Sequence, residues 1–179
     1  NSSSCIIKMN EDGTAAVQTG ATDIGQGSCT VIAMIVAEVL GLGLEDIIIN
    51  TGVDTDFHPV DPGTYGSRVT LYSGNAAKMA AEDIKKQLAQ VAGKLLDVSP
   101  EDLVFKDRKV TVKSDPDKAW KIDALVRYIG QKTSVAGPRP AFSYCTSRVG
   151  SMRRASADMS SNTVPKCDSL PSDQMITEG

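Results

Sequence analysis

Thr22-Asp23-Ile24-Gly25-Gln26-Gly27-Ser28, running into Thr30–Leu40, and Asp61-Pro62-Gly63-Thr64-Tyr65-Gly66-Ser67-Arg68, running into Val69–Leu96, are two glycine-rich polar turns that each lead into a helix-like run. Glycine lets a backbone approach a ligand closely. A helix start offers N–H groups without partners and the positive end of a dipole. The pair reads as an anion-binding design present twice. In the first run Val31, Ile32, Ile35, Val36, Val39 and Leu40 recur at helical spacing, with Ser28 placed to cap the helix and Gly41 and Gly43 to stop it. In the second, Ala76, Ala77, Ala80, Ala81, Ile84, Leu88, Val91 and Leu95 predict a long helix whose small residues pack closely on a neighbour.

Outward from the turns the pattern is mixed. Cys5–Met9 and Ala15–Thr19 are strand-like and flank Asn10-Glu11-Asp12-Gly13, a hairpin signal. Ile47–Asn50 predicts a short strand, and 51–67 a long loop of the kind that is functional or disordered. Ser99-Pro100-Glu101-Asp102 predicts one short helical turn. Leu103–Phe105 and Lys109–Lys113 predict a second hairpin around Lys106-Asp107-Arg108. A cap or turn at Ser114–Asp117 is expected before a short helix at Ile122–Ile129. The order β-β-α-β-α-β-β-α implies an α/β (α+β) fold: a mixed sheet of short strands and hairpins packed with two long helices. Cys145, after Phe142 and Tyr144, reads as a buried residue, and 146–179, which has no apolar periodicity, reads as a disordered tail.

A chain of 179 residues is one domain or two small lobes, and it can bury roughly two thirds of its unfolded surface. Hydrophobic residues make up 41% but aromatics only 4%, so the core must be aliphatic. A net charge of −3 gives no electrostatic reason to expect nucleic acid or an anionic membrane as partner. Cys5, Cys29, Cys145 and Cys167 form no CxxC pair, which argues against zinc or iron–sulfur ligation by this chain. Their wide spacing reads as reduced thiols, hence a cytoplasmic location. No apolar run reaches the roughly 18 residues of a membrane span. Asn1-Ser2-Ser3-Ser4 runs almost directly into a strand pattern, as though the chain began inside a larger one.

Gly20–Gly27 has the two-glycine spacing of a phosphate-binding P-loop, but Gln26-Gly27 stands where Lys-Ser/Thr is needed, which argues against nucleotide hydrolysis. An amide between two glycines suits hydrogen bonding to a neutral heterocycle or an oxo group as well as phosphate. His58, the only histidine, has no second histidine to share a metal with. Asp54, Asp56 and Asp61 lack the glycine and closing glutamate of a calcium loop. No metal ligand is assigned. Taken singly, each glycine-rich turn reads more readily as a capped helix start than as a ligand site.

Together their wording is more specific. Thr19–Gly27, Thr30 and Ala37-Glu38-Val39-Leu40-Gly41, followed by Asp54-Thr55, Pro59, Gly63–Thr70 and Gly74-Asn75-Ala76-Ala77, resemble the large, molybdopterin-binding subunit of xanthine oxidase-type molybdenum hydroxylases. Both blocks stand in that family's order and spacing. The wording is most similar to 4-hydroxybenzoyl-CoA reductase, aldehyde oxidase and carbon monoxide dehydrogenase large subunits. The resemblance covers about residues 2–144, so 1–145 is expected to be part of a molybdopterin-binding domain and 146–179 a tail foreign to the family.

The resemblance implies a molybdenum-bearing molybdopterin, in its cytosine dinucleotide form, held by Gly25, Gln26, Gly27, Thr64, Gly66, Ser67 and Arg68. An arginine at Arg68 can equally brace the loop. Family chemistry is transfer of water-derived oxygen to an electron-poor carbon, with aldehydes, N-heterocycles or aromatic acyl-CoA as substrates. Electrons leave through 2Fe-2S clusters and FAD on partner subunits. The family's catalytic base is a glutamate in a Gly-x-Gly-Glu motif; Glu178 stands in no such motif, so no catalytic residue is assigned and the fragment alone is expected to be inactive. The non-enzymatic alternative is a truncated α/β module that self-associates through its apolar helix faces or binds an anion.

Overall fold

Val69, Ser73, Ala76, Ala77, Ala80, Ala81, Ile84, Leu88, Ala89 and Ala92 form one buried stripe along a 28-residue helix, α2 (Val69–Leu96). The computed structural model describes residues 2–50, 54–133 and 142–148, with 132–133 and 142–148 described by backbone alone. Of the expected tail at 146–179, residues 146–148 belong to a strand, and 149–179, like the side chain of Cys145, lie outside the described residues.

Two sheets carry the helices. In the first, β1 (Ser2–Met9) pairs antiparallel with β2 (Ala15–Thr19) and with β7 (Phe142–Arg148), and β3 (Ile47–Ile49) adds in parallel, giving the order β3-β2-β1-β7. The register sets Cys5 opposite Thr19, Ile7 opposite Val17 and Met9 opposite Ala15, all buried on one face. That face meets α2, and α1 (Ser28–Leu40) packs beside α2. Ile32, Val36 and Leu40 of α1 are buried at four-residue steps. Full burial of each such side chain is worth roughly 1.5–3 kcal/mol. A Cβ on Gly74 would stand 3.1 Å from Ile35 Cδ1, so the two helices approach closely there.

The second sheet, β4 (Leu103–Lys106), β5 (Lys109–Val112) and β6 (Asp115–Lys121), is antiparallel. Its first hairpin turns through Asp107 and Arg108, both at positive φ (51° and 60°), as a tight two-residue hairpin demands. Arg108 pays for the unusual backbone with an ion pair to the buried Asp46 at 2.7 Å and a bond to the Asp12 carbonyl. Gly41 ends α1 at φ 68°, and a Cβ there would lie 2.4 Å from the Phe105 carbonyl carbon. The second sheet therefore docks on the end of α1 through a position only glycine fits. Helix α3 (Ile122–Thr133) buries Ile122, Leu125, Val126 and Ile129.

The mixed α/β layers and the full extent of α2 agree with the sequence reading. Three details differ. Ser114 does lie in a turn, but one that joins β5 to β6 rather than preceding α3, and Asp115–Asp117 belong to β6, whose exposed, charged side chains show no apolar alternation. It is an edge strand, where charge guards against further pairing. Helix α3 runs four residues past Ile129, to Thr133. Strand β7 crosses position 145, where the composition changes, and completes the first sheet. No helix among the described residues is long and apolar enough to cross a membrane.

Candidate functional site

The two glycine-rich turns meet at one end of the first sheet. Gly20 makes this possible: a Cβ there would lie 2.3 Å from the Pro59 carbonyl oxygen and 2.9 Å from Asp61 Cβ. The second loop therefore lies directly on the backbone that leads into the first.

The first turn is organised by Asp23. Its Oδ1 accepts the amides of Gly25 (2.9 Å) and Gly27 (3.3 Å), and its Oδ2 accepts the amide of Cys29 (3.2 Å). Hydrogen bonds from Gly25 and then Cys29 hold this carboxyl below its ordinary pKa. Ser28 is not the cap expected from the sequence. It is the first helical residue, and Gly27 stands before it in the left-handed conformation. The start of α1 is thus capped from outside the helix by a carboxylate of the chain itself. This corrects the reading of the first turn as an open anion site. Cys29 is half-buried, and burial first, then the Asp23 charge, pushes its thiol pKa up, so it stays protonated at neutral pH.

Gln26 folds across this turn. Its Oε1 accepts the Ile24 amide (2.7 Å), and its Nε2 donates to the Thr22 carbonyl (3.2 Å) and to Ser28 Oγ (3.1 Å). Gly25 and Gly27 have φ of 100° and 74°, and a Cβ on either would meet nothing within 4 Å. Both present a bare, open backbone surface.

The second turn is held by Arg68 and Asp61, whose side chains are 3% and 0% exposed and meet at 2.6 Å. Arg68 also donates to the Gly63 carbonyl, the Ser2 carbonyl and Ser3 Oγ. Tyr65 and Tyr72 lie against its guanidinium at 5.6 and 5.0 Å. Asp61 accepts in addition from the Gly63 amide and Ser73 Oγ. Burial works against the Asp61 carboxylate, but hydrogen bonds from Ser3, Gly63, Ser73 and Arg68 outweigh it and hold its pKa low. Arg68 is therefore the brace of the loop, not a group facing a ligand: both terminal nitrogens are spent on protein acceptors.

Gly66 and Ser67 follow one another at φ 56° and 55°, just ahead of Arg68, the cap residue of α2. Left-handed backbone at a residue other than glycine costs of order 1–3 kcal/mol and gathers at functional sites. Ser67 is exposed, and a Cβ on Gly66 would meet nothing within 4 Å. Thr64 Oγ1 donates to the Thr22 carbonyl at 2.5 Å, so the two turns share an acceptor with Gln26.

Of the seven residues expected from the sequence, six (Gly25, Gln26, Gly27, Thr64, Gly66 and Ser67) lie on the two joined turns, and Arg68 lies beneath them. Sequence reasoning did not single out Asp23 or Asp61 as organisers. Each is an aspartate two residues ahead of a glycine, the spacing at which its carboxylate reaches that glycine's amide. His58 Nδ1 accepts the Asp54 amide at 3.0 Å, and among the described residues its Nε2 has no hydrogen-bond partner.

An array of open glycine faces, an amide and hydroxyls is a neutral cradle. It fits a flat heterocycle carrying its own hydrogen-bonding edge. The sequence model of the family described as "Molybdopterin cofactor-binding domain" matches residues 1–157. The chain is 36% identical over 112 residues to the xanthine dehydrogenase molybdenum-binding subunit of Escherichia coli O157:H7, covering 63% of this chain and 15% of that protein. It is 36% identical over 137 residues to the carbon monoxide dehydrogenase large chain of Hydrogenophaga pseudoflava, covering 76% and 17%. The crystal structure of the Cu,Mo-CO dehydrogenase superimposes with a TM-score of 0.72 at 30% identity, over 81% of this chain and 18% of that one. The chain thus spans less than a fifth of the length of these relatives.

Proposed function

The chain belongs to the molybdopterin cofactor-binding domain family, and on that premise we propose that it forms part of the cofactor cradle in the catalytic subunit of a molybdenum hydroxylase-type oxidoreductase. The observation that carries the proposal is the open rim of Gly25, Gly27 and Gly66, held together by the Thr64–Thr22 bond.

The residues present fit that group. Gly25, Gly27 and Gly66 let the backbone lie against a flat ring, because any side chain would fill the space. At its edges Gln26 Oε1 and Thr64 Oγ1 would act as acceptors, because both Gln26 Nε2 protons and the Thr64 proton are already given to Thr22 and Ser28, and the Ser67 hydroxyl would donate or accept. Their energetic worth rests on being fixed beforehand: Gln26 is held at three points and Thr64 at one. When bound, the molybdenum cofactor supplies the oxidation of an electron-poor carbon with oxygen taken from water, and the protein supplies binding and orientation.

We assign the cytosine dinucleotide form of the cofactor. The backbone at Gly66 and Ser67, ahead of α2, would hold its diphosphate, since Asp23 already takes up the amides of Gly25, Gly27 and Cys29 at the start of α1. We also assign 2Fe-2S and FAD partner subunits, a cytoplasmic location and a substrate among aldehydes, N-heterocycles and aromatic acyl-CoA. Relatives named as a molybdenum-binding subunit and a large chain support an assembly of several subunits. The Gly-x-Gly-Glu base of the family is not among these 179 residues, so the proton-accepting group comes from another part of the complete enzyme. Assay of molybdenum, pterin, iron and flavin in the purified complex tests the assignment. Molybdenum with fluorescent pterin supports it, and their absence from an intact complex refutes it.

A further inference from the structure

Arg68 does more than hold its own loop. Nη1 joins Asp61 Oδ1 (2.6 Å) and the Gly63 carbonyl (2.9 Å), and Nη2 joins Ser3 Oγ (2.8 Å) and the Ser2 carbonyl (3.3 Å). The Tyr65 ring lies over the same guanidinium, and the Tyr65 carbonyl accepts the Arg68 amide at 3.2 Å. Gly63 and Tyr65 are the two neighbours of Thr64. The Thr64 hydroxyl reaches the Thr22 carbonyl, and that same oxygen receives Gln26 Nε2. Gln26 Oε1 in turn holds the Ile24 amide. Each step in this chain is a direct contact, and it links two turns about forty residues apart in sequence.

We propose that Arg68 is a positioning residue for the first turn: acting through Thr64, it sets the Gln26 amide on the cofactor rim without itself touching the cofactor. The proposal rests on the cofactor-cradle reading for its purpose, while the coupling rests on geometry alone. It also gives a reason for an arginine here. A lysine could meet Asp61 but could not span Asp61, Gly63 and β1 with a planar fork. Coupling of this kind needs a demonstration that two sites respond together, because adjacency alone is not coupling.

The test uses the full chain and its Arg68→Lys, Thr64→Val, Thr64→Ser and Arg68→Lys/Thr64→Val variants. Amide hydrogen exchange at Ile24 by NMR reports on the Gln26 side chain. Binding of extracted molybdopterin cytosine dinucleotide, followed by pterin fluorescence, reports on the rim. Thr64→Val and Arg68→Lys should each speed exchange at Ile24 about three- to tenfold, as expected for loss of one net hydrogen bond. The double variant should go no further than Thr64→Val alone, and Thr64→Ser, which keeps the hydroxyl, should leave exchange at Ile24 at the wild-type rate. Exchange at Ile24 unchanged in Thr64→Val, or additive effects in the double variant, would overturn the proposal. Should Arg68→Lys not fold, Thr64→Val and Thr64→Ser decide the outcome, because the Arg68–Asp61 pair stays intact in both. Wild-type chain that shows the coupling but binds no pterin overturns the cradle reading, not the coupling.

Discussion

The Thr64 hydroxyl donates to the Thr22 carbonyl at 2.5 Å and so fastens the second glycine-rich turn to the first. That one bond spans 42 residues of sequence. It converts two ordinary strand–turn–helix connections into two sides of one rim.

Close packing beneath the rim is as important as the bond across it. Gly20→Ala places a methyl group 2.3 Å from the Pro59 carbonyl oxygen, so the second loop must move outward. We expect a loss of about 1–3 kcal/mol, as for other overpacked sites. Thermal or denaturant unfolding checks this; an alanine variant as stable as wild type would show that the loop yields freely.

Gln26→Ala leaves the backbone of the first turn in place but removes three hydrogen bonds. In the complete enzyme, cofactor affinity or turnover should fall about 10–100-fold, as for other losses among groups that support a bound metal centre. Molybdenum occupancy measured beside turnover separates the two effects, and no change in either would remove Gln26 from the site.

Arg68→Met removes one partner of a buried ion pair and leaves Asp61 charged and alone. Breaking such a pair costs about 3–5 kcal/mol. Arg68→Met combined with Asp61→Asn should recover part of that loss in urea unfolding; a double variant worse than the single one would mean that Asp61 tolerates solitary charge.

Asp61 also predicts a pH dependence. Its folded pKa lies below the ordinary 3.8, so its contribution to stability is complete above 3.8 and is lost as pH falls through the lower folded value. The stability gap between wild type and Asp61→Asn should therefore be constant near neutral pH and narrow below about pH 4. A gap that widens on acidification would contradict the sign.

Much of this was legible in the residues. Helix α2 announces itself through small and aliphatic side chains at helical steps, and β1 and β2 through Asp12-Gly13 between two alternating runs. The two turns that carry Gly25, Gln26, Gly27, Thr64, Gly66 and Ser67 were legible as turns from their glycines, but not that they meet, which rests on the Thr64–Thr22 bond and the packing at Gly20. What was not legible depends on long-range partners. β6 owes its strand form to pairing with β5, not to its own charged side chains. Asp23 displaces Ser28 as the cap because the turn folds back six residues. Arg68 belongs beneath the rim because Asp61 and Ser3, distant or unremarkable in sequence, close around it.

The most direct measurement of the cradle is the molybdenum and pterin retained per chain in the complete enzyme carrying Gly66→Asn. Asparagine tolerates the left-handed backbone that Gly66 adopts, and its side chain enters open space, so the fold should be preserved. The account predicts molybdenum and pterin largely lost, with a melting temperature equal to that of the cofactor-free wild-type enzyme. Full retention of both in a normally folded Gly66→Asn enzyme would contradict it.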